Sequence, residues 1–163
     1  MSGHPDWTEV YRASGYAFFL EGGWRCFALD AEDGADALNL RSTSTVTLIT
    51  AWNPDSIEIP RPRNEAANAR LLRRLVADQV PWSLAFGASL PQVEPSWKED
   101  GYAIHGLDRD QACRWGRAWG QRAVVWLAPG ASELLFCQSG ETVTCRLRTL
   151  ELSDWVLPSA VSA

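Results

Sequence analysis

From residue 45 onward the chain alternates its elements in an order that few folds accommodate. Residues 45–52 (T-V-T-L-I-T-A-W) are β-branched and apolar, the strongest strand signal present. Residues 64–78 carry helical periodicity, 82–89 read as a strand and 101–105 as another. Asp108 and Gln111 form a capping box that opens a second helix, which Gly120 ends in a left-handed position. Ala112, Trp115, Gly116 and Trp119 form its apolar stripe, and 122–127 reads as a buried strand. Strand, helix, strand, strand, helix, strand is the split β-α-β order of a ferredoxin-like fold. The expectation is therefore an α+β domain, with a βαββαβ antiparallel sheet and its helices on one face.

Further elements flank this core, and N- and C-terminal hairpins are expected to extend its sheet. Asp6-Trp7-Thr8-Glu9 resembles a capping box and starts a helix that runs to Arg12. Strands at 15–20 and 24–29 enclose the turn Glu21-Gly22-Gly23, and a short helix is expected around 35–40. A C-terminal hairpin covers 132–138 and 141–148. The organisation expected is one domain, 1–150 (helix and hairpin 6–29, core 45–128, hairpin 132–148). A tail, 151–163, follows, anchored by Trp155.

Composition narrows the function classes. A length of 163 residues suits one domain, and 46% apolar with 21% charged residues excludes a wholly disordered chain. No apolar run approaches the roughly 18 residues of a membrane span. The first residues lack the basic-then-apolar pattern of an export signal, so a cytoplasmic protein is expected. A net charge of −5 argues against nucleic acid as the main partner. Cys26, Cys113, Cys137 and Cys145 form no C-x-x-C pair, and His4 and His105 lie far from them in sequence, so neither a metal site nor a cofactor is expected. With Ser139-Gly140 as a two-residue turn, Cys137 would face Thr142 and Cys145 would face Leu134. All four cysteines are expected to be free thiols.

One polar pattern stands out inside the apolar stripes. At 100° per residue, Asn64 sits at 0°, Asn68 at about 40°, Leu71 at about −20° and Leu75 at about 20°. Two asparagines therefore share the buried face of the first core helix, while Arg70, Arg73 and Arg74 lie opposite. A buried amide without partners costs roughly 1–3 kcal/mol. Each amide must bond either the loop 53–56 or a ligand, and Asn64 could also cap the helix. In the split β-α-β arrangement, the end of the first strand, the start of the first helix, the second-to-third strand connection and the exit of the second helix meet at one pole. That gathers Asn53, Asp55, Ser56, Arg61, Arg63, Asn64, Asn68, Glu94, Ser96, Trp97 and Gln121. The helix N-terminus adds free N–H groups there that suit an anion.

These residues carry a resemblance. Thr50-Ala51-Trp52-Asn53-Pro54-Asp55-Ser56, followed by Asn64-Glu65-Ala66-Ala67-Asn68-Ala69-Arg70-Leu71, resembles a bacterial domain-of-unknown-function family, number three-two-nine-three. Its pattern runs T-A-x-N-P-x-S, N-x-x-x-N-x-x-L, a W-x-E-x-S-like segment and a G-Q before a closing strand. Glu94-Pro95-Ser96 and Gly120-Gln121 match the later parts, whereas Gln92-Val93 stand where the family often has Trp-Pro. The resemblance extends over roughly 7–137. It implies a fold unit and a site at Thr50, Asn53, Pro54, Ser56, Asn64, Asn68, Glu94, Ser96 and Gln121, and no reaction.

Two functional readings follow. The first is a binding or regulatory module holding a small anionic or polar ligand through Asn53, Ser56, Arg63, Asn64, Asn68, Glu94, Ser96 and Gln121. Exposed sheet edges would allow a homodimer. The second is a hydrolase or transferase acting on an anionic substrate. Glu94 would be its acid/base, Ser56 or Ser96 the nucleophile and Arg63 the anion clamp. No G-x-S-x-G elbow, phosphate-cradling glycine loop or histidine near the pole supports the second reading. No membrane partner is expected.

Overall fold

A computed structural model describes residues 6–30 and 44–155. Its element order is α1 (Trp7–Arg12), β1 (Ser14–Leu20), β2 (Gly23–Ala28), β3 (Val46–Ile49), a 3₁₀ turn (Pro54–Ser56), α2 (Arg61–Ala77), β4 (Trp82–Ser89) and β5 (Lys98–His105). Then come α3 (Arg109–Ala118), β6 (Ala123–Ala128), β7 (Ala131–Phe136), β8 (Thr142–Thr144), β9 (Arg148–Thr149) and α4 (Leu152–Trp155). The helix expected at 35–40 lies outside the described residues.

The strands form one antiparallel sheet in the order β8-β7-β6-β3-β5-β4-β1-β2-β9. Strands β8 and β9 stand at opposite edges, yet only residues 145–147 separate them in sequence. A flat sheet of this width would hold its edges roughly 40 Å apart at about 4.8 Å per strand. The connecting chain reaches at most about 15 Å. The sheet must therefore curl until its edges nearly meet. The closing segment bonds both sides: the Cys145 amide donates to the Ser132 carbonyl (2.8 Å) on β7, and the Leu150 amide to the Cys26 carbonyl (2.9 Å) on β2. Arg148 adds a bidentate pair with Asp30, both contacts 2.9 Å.

Curling gives the sheet an inside and an outside. Along β6, Val125 and Leu127 join an inner cluster with Phe18, Phe27, Val46, Ala103 and Leu134. Val124 and Trp126 point the other way, onto Leu71 and Leu75 of α2 and Ala112 of α3. Both long helices thus cover one face, as the sequence order implied. A third cluster holds Ala17, Cys26, Phe86 and Trp155. Trp155 is buried, stacks on Phe86 at 5.2 Å and donates its ring N–H to the Ser89 carbonyl, so α4 is the anchor expected of the tail.

Several expectations are corrected. The expected α+β class stands, and among the described residues the sheet is wider than a four-stranded core and curls: β6-β3-β5-β4 form its middle, β7 and β8 extend one side, and β1, β2 and β9 the other. Helix α2 starts at Arg61, with Pro60 at its N-cap and Pro62 in its first turn, where a proline's missing N–H has no intrahelical partner to lose. Asn64 is thus an inward residue of the helix and not its cap. Strand β3 stops at Ile49 because the Thr50 hydroxyl turns to the Asp100 carbonyl and the Ala51 amide to Asn68. Strand β5 begins earlier, at Lys98, since β4 supplies ladder partners to its polar start: Gly87 pairs with Glu99 and Ala88 with Lys98. A Cβ at Gly101 would run into the Ile49 carbonyl, so only glycine lets β5 pass this close to the end of β3. The C-terminal hairpin has a four-residue loop, with the Phe136 amide bonded to the Glu141 carbonyl and Leu135 opposite Thr142. The Cys137 amide goes to the Arg122 carbonyl instead of facing Thr142. All four cysteines are unpaired, as expected.

Candidate functional site

The segment after β3 is pinned by the two inward asparagines. Asn64 is 2% exposed and Asn68 7%. The Asn64 carbonyl oxygen accepts from the Asn53 amide (2.8 Å). Its NH₂ donates to the Asn53 side-chain oxygen (2.9 Å) and the Ile59 carbonyl (3.3 Å). The Asn68 oxygen accepts from the Ala51 amide (2.8 Å), and its NH₂ donates to the Asp100 carbonyl (2.6 Å). Of the two alternatives left by the sequence, the bonds all go to protein: Asn64 to the 53–59 loop, Asn68 to Ala51 and to β5. The Asp55 amide also donates to the Gly120 carbonyl (2.7 Å), locking this loop to the exit of α3. Asn53 itself has φ +46°, a left-handed conformation that asparagine tolerates better than most residues.

Beside this loop the curled sheet opens into a cavity of about 270 Å³. Its walls are the inner face near the ends of β3 and β4 and the starts of β1, β5 and β6. Residues there are small: Ala85, Gly87, Gly101 and Ala123. Deeper inside, Phe18, Phe27, Leu127 and Leu134 fill the curl completely. The change from large to small side chains is what leaves the mouth hollow. Helix α1 adds Trp7, Val10 and Tyr11 to the rim.

Among the described residues, two charged side chains and several aromatic rings give the cavity its chemistry. Glu99 lies on the inner face of β5, at the same parity as Gly101 and Ala103. The Asn53 NH₂ donates to one of its carboxylate oxygens (3.1 Å). Burial holds its pKa above the ordinary glutamate value, partly opposed by that hydrogen bond. Arg122 donates from Nε to the Ser56 hydroxyl (3.0 Å), and its guanidinium lies 4.1 Å from the Trp7 ring centre. Burial pushes the Tyr11 hydroxyl up to about 12, against the opposing pull of Arg122. Gln121 donates to the Trp52 carbonyl (3.1 Å), while the buried Trp52 ring N–H has no partner among the described residues.

The residues singled out from the sequence divide into three sets. Asn53, Ser56 and Gln121 line the cavity. Asn64 and Asn68 stand behind it as supports. Arg63, Glu94 and Ser96 are exposed and do not line it. Glu99, Arg122, Trp7 and Tyr11 were not anticipated. Glu99 was within reach of sequence reasoning: extending the 101–105 strand backwards at period two places 99, 101 and 103 on one face. Nothing local in the sequence indicated that α1 would reach the same pole. His105 bonds Ser83 at the other end of β5, and burial lowers its pKa. Among the described residues no group of three or more His, Cys, Asp or Glu could hold a metal ion, and no helix is long and apolar enough to cross a membrane.

Residues 49–124 match the model of a family described as a protein of unknown function (DUF3293), the family that the motifs resembled. The match is shorter than the 7–137 extent suggested by the motifs. It contains the pinned loop, Glu99, Gln121 and Arg122, but not α1 or β1. No curated protein and no solved structure matches the chain.

Proposed function

We propose, for a chain whose central segment is that of a family of unknown function, that the mouth of the curled sheet binds a small ligand. The observation that carries this reading is the hollowing itself. Four inner-face positions at one end are alanine or glycine, and a half-buried carboxylate and a guanidinium converge on the space they leave. Polar groups gathered in a concave, largely apolar wall are what ligand recognition requires. Thr50, Asn53, Ser56 and Gln121 supply neutral hydrogen-bonding groups, and Arg122, not Arg63, is the arginine at the cavity. Catalysis by Glu94 draws less support, because that carboxylate is exposed and outside the cavity. A dimer through sheet edges draws little as well: the outermost strands, β8 and β9, are three and two residues long, short templates for pairing.

A cavity-filling variant tests the reading. A Cβ at Gly87 meets only ordinary contacts, the nearest being the Tyr16 ring at 3.6 Å, so a larger side chain there can grow into the cavity. In a thermal-shift screen of small metabolites and nucleotides, hits with the native chain should lose their shift in Gly87→Leu. Hits that persist in that variant bind elsewhere and overturn the assignment.

A further inference from the structure

We infer that the ligand of this cavity carries a protonated amine, held by the Glu99 carboxylate among aromatic rings. This rests on the binding reading above and adds the chemical class of the ligand. Glu99 projects inward opposite Gly87, its partner on β4, which has no side chain to meet it. Asn53 satisfies one carboxylate oxygen, and among the described residues nothing donates to the other. A partly desolvated carboxylate demands a donor, and a cationic N–H serves it better than a neutral one. Among the described residues the lining contains one cation, Arg122, and that guanidinium is already engaged by the Trp7 ring and the Ser56 hydroxyl. An ammonium group on the ligand would donate to that oxygen. The walls suit a cation too: Trp7, Tyr16, Trp52 and Trp97 line the same space, and aromatic faces attract ammonium groups. A neutral donor would satisfy the oxygen but draw nothing from the rings. A carboxylate in place of the amine would oppose Glu99 directly.

Three probes of similar body separate these cases: phenethylamine, 2-phenylethanol and 3-phenylpropionate. Each is titrated into the full chain at neutral pH and followed by tryptophan fluorescence and calorimetry. Phenethylamine should bind about tenfold or more tighter than the alcohol, and the propionate weakest. Glu99→Gln keeps the Asn53 bond and should bring the amine and the alcohol within about twofold of each other. Gly87→Leu should abolish both. The comparison of probes on the native chain needs no variant, so poor folding of Glu99→Gln would not blunt it. Equal binding of amine and alcohol, or an amine preference that survives Glu99→Gln, overturns the inference; loss of both in Gly87→Leu would still leave the cavity reading standing. Binding of none of the three probes by the native chain, or binding unchanged in Gly87→Leu, overturns both.

Discussion

The loop after β3 and the cavity beside it are made of the same kinds of residue and differ in one respect. In the loop region, Asn64 and Asn68 are almost wholly buried, and their amides are matched by Asn53, Ile59, Ala51 and Asp100. In the cavity, the ring N–H of Trp52 is buried with no partner among the described residues, and half-buried Glu99 has a protein donor on one carboxylate oxygen alone. A buried polar group with its bonds complete stabilises architecture, whereas one left incomplete is a standing demand for something from outside. The difference teaches that inward-facing polarity alone does not mark a site; an unmatched group counts only where it also lines a hollow, since the buried Thr47 hydroxyl is unmatched outside the cavity.

The largest expected effect breaks the matched side. Asn68→Ala leaves the Ala51 amide and the Asp100 carbonyl buried without partners and should destabilise the fold by about 3 kcal/mol in urea denaturation. A loss below about 1 kcal/mol would show that water replaces the asparagine, and the contrast between the two regions would dissolve.

A smaller effect sharpens the unmatched side. The folded-state pKa of Glu99 is raised, so the folded chain binds its proton more tightly than the unfolded chain does. The contribution to stability is complete below the ordinary glutamate range and is lost as pH rises through the raised value. Glu99→Gln should therefore melt at or above the native temperature at neutral pH and show a flatter pH profile across that window. A lower melting temperature at neutral pH would mean that the charge is already compensated by the protein.

The smallest effect concerns a residue outside both regions. Arg63 is exposed on α2, and Arg63→Ala should change stability by no more than about 0.5 kcal/mol. It should also leave unchanged any ligand shift that Gly87→Leu abolishes. A tenfold loss of binding in Arg63→Ala would place the ligand on the helix and away from the cavity.

Much of this was legible from residues, and the reasons differ by element. Strand β4 falls on residues 82–89 as read, and α3 opens with the reciprocal Asp108–Gln111 bonds that its capping box specified. Both signals are local, made within a few residues. The burial of Asn64 and Asn68 followed from helical geometry alone. Glu99 was missed because its segment, Lys98-Glu99-Asp100, has no strand propensity of its own and joins the sheet only through pairing with β4. Ser96 and Glu94 were favoured by their place in a connection that, once folded, faces solvent.

By itself the sequence determined where the central parts of the long helices and strands lie and which faces of them turn inward. Those properties depend on periodicity and on neighbours three or four residues away. The curl of the sheet, the arrival of α1 at its mouth and the choice of Glu99 over Glu94 were decided by tertiary structure. They arise from strands pairing across long stretches of chain, and from where large side chains give way to small ones inside the closed sheet.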